Sequence, residues 1–106
     1  MTFTPTLTLG DLPPGSARKV VVDGHEVALV HTQGTVFAVG DQCSHADVSL
    51  SEGEVDGCTL ECWLHGSRFD LRTGEPTGLP ATVPVPVYPV KVEGSGDTAL
   101  ILVDVS

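Results

Sequence analysis

Residues 18–39 read RKVVVDGHEVALVHTQGTVFAV, and this stretch decides the fold. Three valine-rich runs are separated by short polar stretches: Arg18–Val22, Glu26–His31 and Thr35–Val39. The Asp23-Gly24 dipeptide between the first two runs favours a tight hairpin turn, and Thr32-Gln33-Gly34 marks a second turn. Consecutive strands joined by such short turns pair antiparallel. The sequence therefore predicts a three-stranded antiparallel meander.

The two ends of the chain add further strands. Val87–Glu93 and Thr98–Val103 flank a Gly-Ser-Gly-Asp turn at 94–97 and predict another hairpin. Phe3–Leu9 predicts an edge strand, since Pro5 cannot donate a ladder hydrogen bond. No window shows the 3.6-residue periodicity of an amphipathic helix. We therefore expect an all-β fold, a small antiparallel sandwich or barrel.

Length and charge restrict the function. The 106 residues form one domain over 1–106 and leave no room for a separate catalytic domain. Five Lys and Arg against 14 Asp and Glu give a net charge of −9, which disfavours nucleic acid and membrane surfaces and favours a partner with a basic docking face. Three cysteines cannot all pair, and the N-terminal residues resemble no signal peptide. We expect a cytoplasmic monomer.

The middle of the chain carries the chemistry. It spans Asp41–Pro86 and holds all three cysteines, two of the four histidines and the only tryptophan, and its Pro76–Pro89 stretch predicts an extended loop. Two mixed motifs stand out, C-x-H at 43–45 and C-x-x-H at 62–65. Thiolate and imidazole together suit zinc or an iron–sulfur cluster. Zinc sites usually separate Cys pairs from His pairs, whereas a Rieske cluster places two Cys on one iron and two His on the other.

The chain resembles the Rieske ferredoxin family over nearly its whole length. The resemblance rests on C-S-H at 43–45, C-W-L-H-G-S-x-F-D at 62–70, the Thr73-Gly74 turn and a downstream proline loop near Pro80. It implies a Rieske-like antiparallel β-sandwich with a small cluster-binding subdomain of two loops, at about 41–86. It also implies one 2Fe-2S cluster per chain, held by four ligands: Cys43, His45, Cys62 and His65.

The resemblance also addresses the reduction potential. High-potential members carry two further cysteines joined in a disulfide, and the matching positions here are Val48 and Leu64. Those members also place serine and tyrosine hydroxyls near the cluster; Ser67 matches the serine, whereas Phe69 lacks the second hydroxyl. We therefore predict a low-potential centre, towards the lower end of the family range of roughly −150 to +300 mV.

Other residues of the motif have expected roles beside the cluster. Gly66 permits close approach of backbone N–H groups to the sulfurs, because it has no Cβ. Trp63 shields the cluster or forms part of a docking surface. The added electron is expected on the histidine-ligated iron, so His45 and His65 are expected to be the residues through which the electron passes to a partner. Pro80 belongs to the flanking proline loop.

The implied function is that of a soluble one-electron carrier, not an enzyme. It accepts electrons from a flavin-dependent reductase and passes them to a terminal oxygenase. Alternatives are a small subunit of a nitrite-reductase-like complex, a ferredoxin linked to iron–sulfur assembly, and, from other classes, a zinc-stabilised binding module without redox function or a redox sensor.

Several polar and titratable side chains outside the motif remain. We expect Cys58 to be a buried structural thiol in a strand over Cys58–Glu61. His25 is expected in a turn, and His31 as an exposed or hydrogen-bonded residue at a strand end. Arg68 and Arg72 are either solvated charges, or they form docking contacts or local ion pairs with the acidic 41–61 stretch. The acids of the 41–61 stretch either keep the surface soluble or steer partner association.

Overall fold

The computed structural model describes residues 3–42, 49–63, 67–77 and 83–105. These residues form three antiparallel sheets and three single-turn 3₁₀ helices, and no α-helix occurs among them. The strands are β1 (Thr4–Thr8), β2 (Ser16–Val22), β3 (His25–Thr32), β4 (Thr35–Gly40), β5 (Glu54–Asp56), β6 (Thr59–Glu61), β7 (Arg68–Asp70), β8 (Val87–Tyr88), β9 (Val90–Glu93) and β10 (Leu100–Val103). The predicted all-β class is confirmed.

The central sheet has the order β2-β3-β4-β8 and contains the predicted meander. Its first hairpin pairs Val22 with His25, and its second pairs Thr32 with Thr35. Both two-residue turns, at 23–24 and 33–34, have positive φ at each residue. This geometry matches the twist of antiparallel strands and explains why Asp-Gly and Gln-Gly occupy the turns.

The outer sheet has the order β1-β10-β9, with the N-terminal strand at its edge as predicted. The prediction of one strand over Val87–Glu93 is wrong, because the segment divides at Pro89. Val87–Tyr88 pairs with β4 of the central sheet, whereas Val90–Glu93 pairs with β10 of the outer sheet. Proline has no N–H to donate, so a change of sheet there loses no ladder hydrogen bond at that residue.

The third sheet, β5-β6-β7, has only three-residue strands and was not predicted as a sheet. Of its strands only β6 was expected, and it begins at Thr59 rather than at Cys58. A strand of three residues is too short to show an alternation of apolar and polar side chains in the sequence. These strands form because neighbouring strands pair with them. The first two strands of this sheet lie in the chain between the two motifs that carry the predicted ligands, and β7 follows the second motif.

The two faces of β3 build two separate cores. Val27 and Leu29 pack on the side of the outer sheet, with Ile101 and Val103 of β10. Ala28 and Val30 pack on the opposite side, with Leu60 and other residues of the third sheet. The central sheet is therefore the middle layer, and β3 has a continuous apolar run because it is covered on both faces.

The described residues contain no helix with the length and hydropathy needed to cross a lipid bilayer.

Candidate metal centre

Only one of the four predicted ligands lies within the described residues. Cys62 follows β6 directly, whereas Cys43, His45 and His65 lie outside the described part of the chain, as do Val48, Leu64, Gly66 and Pro80. No group of three metal-binding side chains occurs among the residues that the structure describes. The described part of the site consists of Cys62 and of the segments at which the two predicted ligand loops begin and end.

Cys62 is a fully buried, unpaired thiol at the base of the second loop. Its backbone N–H donates to the carbonyl oxygen of Ser67 at 2.6 Å, so that the first and last residues of the 62–67 segment are joined. Its side chain packs in the same core cluster as Leu50, Leu60 and Phe69. This position excludes water from one side of the sulfur.

The predicted neighbours of Cys62 differ sharply in exposure. Ser67 and Phe69 are completely buried, and Phe69 lies opposite Leu60 in the β6–β7 pair. Phe69 therefore fills the core beside Cys62 without supplying a hydroxyl. The Trp63 side chain is 52% exposed, although it directly follows a buried thiol. Such a large exposed aromatic side chain favours a docking role for Trp63 over a shielding role.

The first loop is closed at its neck. An isolated β-bridge joins Gln42 to Ser49, and the N–H of Leu50 donates to the carbonyl oxygen of Asp41. Leu50 is fully buried in the core that contains Cys62. The segment by which the first loop returns is therefore packed directly against the base of the second loop.

A glycine brings the two loop bases into backbone contact. A Cβ built on Gly53 would overlap the carbonyl oxygen of Glu61, the residue that precedes Cys62. Only a residue without a side chain allows this approach. The segment that follows the first loop is thus in direct backbone contact with the end of β6, which leads into the second loop.

The end of the proline-rich stretch packs against the Thr73-Gly74 turn and the end of β4. The N–H of Val85 donates to the carbonyl oxygen of Gly74 at 2.8 Å, and a Cβ on Gly74 would overlap the Val85 oxygen. The N–H of Gly40 donates to the carbonyl oxygen of Pro86 at 2.8 Å. Residues 83–86 therefore connect the Thr73-Gly74 turn to the end of β4. Val87 and Tyr88, which were predicted to belong to the extended loop, form the short strand β8.

Local ion pairs account for the arginines of the second loop. Arg68 lies 3.1 Å from Asp56 and 3.5 Å from Glu61, which links β7 to the acidic strands of the third sheet. Asp70 accepts from the backbone N–H of Arg72 at 2.9 Å and from its guanidinium at 3.3 Å. These hydrogen bonds lower the pKa of Asp70 and raise the pKa of Arg72. The expected ion pairing with the acidic 41–61 stretch is confirmed for Arg68, whereas Arg72 pairs with Asp70, outside that stretch.

A third basic side chain is neutralised away from the loops. Lys19 forms a 2.7 Å ion pair with Glu26, which raises the pKa of this lysine. Neighbouring acids pair with these basic side chains. The protein as a whole still has a net charge of −9 and therefore presents a negative electrostatic field to its surroundings.

The prediction that Cys58 is a buried structural thiol is wrong. Cys58 lies in the β5–β6 turn, is half-buried, and its Sγ contacts Oε1 of Gln33 at 2.9 Å. The turn leaves no core position for a residue between the two short strands.

The expectation for His31 is confirmed, because its Nδ1 is 2.8 Å from the Leu12 carbonyl oxygen. His25 is the first residue of β3, rather than a turn residue, and makes an edge-on ring contact with Tyr88.

The described residues fit an iron–sulfur centre. The buried thiol of Cys62 has no disulfide partner, and thiolates are the standard ligands of such clusters. The half-exposed Cys58 is at the far end of β6 from Cys62. Cys62 therefore lies at the base of the second ligand loop, and Cys58 lies away from that loop.

Comparison with known proteins identifies the family. The model of the Rieske 2Fe-2S domain matches residues 2–89. The chain is 42% identical over 107 residues to the biphenyl dioxygenase ferredoxin subunit of Pseudomonas sp. (strain KKS102), with 100% of this chain and 94% of the relative covered. The ferredoxin of carbazole 1,9a-dioxygenase from Nocardioides aromaticivorans IC177 superposes with a TM-score of 0.87 at 39% identity, covering 96% of this chain and 97% of that chain.

A third comparison involves a ferredoxin with its partner. A structure described as a complex of reduced oxygenase and oxidized ferredoxin in carbazole 1,9a-dioxygenase contains a chain that is 31% identical, with a TM-score of 0.82 and coverage of 95% and 92%. The present chain belongs to the Rieske 2Fe-2S family. It is a ferredoxin-type electron carrier with a 2Fe-2S cluster, not a catalytic component.

Proposed function

We propose that this chain carries single electrons from a flavin-dependent reductase to a terminal oxygenase, with Cys43, His45, Cys62 and His65 as the cluster ligands. The proposal rests chiefly on Cys62: the one predicted ligand within the described residues is a buried, unpaired thiol at the base of a predicted ligand loop. A 2Fe-2S cluster supplies reversible one-electron chemistry when bound.

Each part of the chain has a distinct task in this proposal. Cys43 and Cys62 hold one iron with thiolates, and His45 and His65 hold the other with neutral imidazoles. Neutral ligands leave the oxidised centre two charges less negative than four thiolates, which raises the potential relative to plant-type ferredoxins. Residues 41–86 form the cluster-binding part of a single domain over 1–106.

The surface charge supports a basic partner face. The chain carries a net charge of −9, and described basic side chains lie in ion pairs with their own acids. An uncompensated negative field speeds association with a basic surface more than it tightens the complex. The half-exposed Trp63 beside Cys62 supplies an apolar contact at the centre of that interface.

Location and assembly state complete the proposal. We propose a cytoplasmic monomer, because a reducing compartment keeps Cys58 and the proposed ligand Cys62 out of disulfides.

The test compares two cysteine variants of the protein purified without oxygen. The parent is expected to hold two irons and two acid-labile sulfides per chain and to take up one electron reversibly. Cys62→Ser should lose the visible absorption and the iron, whereas Cys58→Ser should keep both, because its thiol is placed away from the loop.

Either of two results would contradict the proposal. One zinc per chain in a colourless parent protein would show a structural metal site instead of a redox centre. A native visible spectrum in Cys62→Ser would show that this thiol is not a ligand.

A further inference from the structure

Asp41 is an acid in an unusual position. Asp41 is only 1% exposed, and it lies directly before the first predicted ligand loop. Burying a carboxylate is costly unless it is hydrogen-bonded. Its Oδ1 accepts the backbone N–H of Ser51 at 2.8 Å, and its Oδ2 has no partner among the described residues. Packing alone does not explain an acid here, since an apolar residue would be buried at lower cost.

The hydrogen bonds of Asp41 join three segments of the chain. Its backbone N–H donates to the carbonyl oxygen of Glu26 at 3.1 Å, which fixes it to β3. Its carbonyl oxygen accepts the N–H of Leu50, and its carboxylate accepts the next N–H, that of Ser51. Asp41 therefore holds two successive residues at the end by which the first loop returns, one through the backbone and one through the side chain.

The held segment in turn meets the second loop. Leu50 and Ser51 belong to the 3₁₀ turn Leu50–Glu52, whose N-terminal N–H groups have no acceptor within the turn itself. Leu50 packs in the core that contains Cys62, and Gly53 lies in backbone contact with Glu61. A shift of this turn would therefore alter the distance between the two loops.

We propose that Asp41 is a positioning residue for the cluster: its carboxylate holds the 3₁₀ turn after the first loop and so fixes the spacing of the two ligand loops. This inference depends on the proposed function, because it requires those loops to carry the ligands. The carboxylate touches neither the cluster nor a partner protein in this role. It acts through Ser51 and Leu50.

The test measures how fast the loaded protein loses its cluster to an iron chelator, well below the melting temperature. Asp41→Ala removes the acceptor for the Ser51 N–H. We expect the loss of this hydrogen bond to a charged group to speed the bleaching of the visible absorption about tenfold. Asp41→Asn retains an oxygen acceptor at the same place, so its bleaching rate should stay within about threefold of the parent. The visible circular dichroism should change in Asp41→Ala and not in Asp41→Asn.

Thr32→Ala is the matched control. The buried Thr32 hydroxyl donates to the Gly57 carbonyl oxygen at 2.7 Å, a side-chain hydrogen bond away from the neck of the first loop. This variant should lose stability but bleach at the parent rate. Equal bleaching of Asp41→Ala and parent, or equally fast bleaching of Thr32→Ala and Asp41→Ala, would overturn the inference. A parent protein that holds no cluster would instead refute the proposed function.

Discussion

The contact between Gly74 and Val85 allows a sharp prediction, because Val85 packs in the core that also contains Cys62. Gly74 is buried, has φ of +78°, and leaves no space for a Cβ beside the Val85 oxygen. Gly24 has nearly the same φ, +79°, but nothing lies within 4 Å of the position of its missing Cβ. The pair Gly74→Ala and Gly24→Ala therefore separates backbone strain from steric overlap.

The two substitutions share one cost and differ in another. Alanine in the left-handed region costs about 1 kcal/mol at either position. At Gly74 the methyl group must also displace the Val85 backbone, and forced repacking in a filled interior costs about 1–3 kcal/mol more. We expect Gly24→Ala to lower the free energy of unfolding by about 1 kcal/mol and Gly74→Ala to lower it by about 2–4 kcal/mol.

Urea unfolding of the loaded proteins, followed by far-ultraviolet circular dichroism, measures both values. Bleaching of the visible absorption in the same titration reports the cluster site. We expect Gly74→Ala to bleach before it unfolds, since the displaced Val85 packs in the core that contains Cys62. Equal destabilisation by the two substitutions would refute the close approach of Gly74 to Val85.

Two further predictions concern the second loop. Hydrogen bonds from Arg72 lower the pKa of Asp70, so this acid stabilises the fold above the pKa of an unfolded aspartic acid, about 3.9, and the contribution disappears as the pH falls through the folded value. Unfolding of Asp70→Asn should therefore show a stability deficit at pH 7 that vanishes under acid conditions; a deficit independent of pH would contradict this. Ser67→Ala should keep the cluster and lower its midpoint potential in a redox titration, and an unchanged midpoint would show that the buried hydroxyl serves the fold alone.

The sequence predicted those features that depend on neighbouring residues. Asp23-Gly24 and Gln33-Gly34 predict their hairpins because few residues tolerate positive φ, and the turn then sets the strand register. The ligand motifs are likewise local, because each combines one thiolate and one imidazole within three or four residues, a pattern that favours an iron–sulfur site. The family match confirmed the cluster, whereas the individual ligand assignments remain predictions.

Errors arose where distant segments decide the outcome. Pro89 divides a run of apolar residues between two sheets, and only the presence of β4 on one side and β10 on the other shows that division. Cys58 resembles a core residue in sequence but lies in a turn, because β5 and β6 are too short to bury it.

The sequence by itself determined the class of fold, the cofactor type and the excess of negative charge, since each follows from residue identity and short-range spacing. The tertiary structure alone decided how the two ligand loops are held together. Asp41 meets Ser51, Gly53 meets Glu61 and Gly74 meets Val85, although the members of each pair are 8 to 11 positions apart in the chain. Such contacts have no local sequence signature, because they form only when three sheets have packed around two cores and brought these segments together.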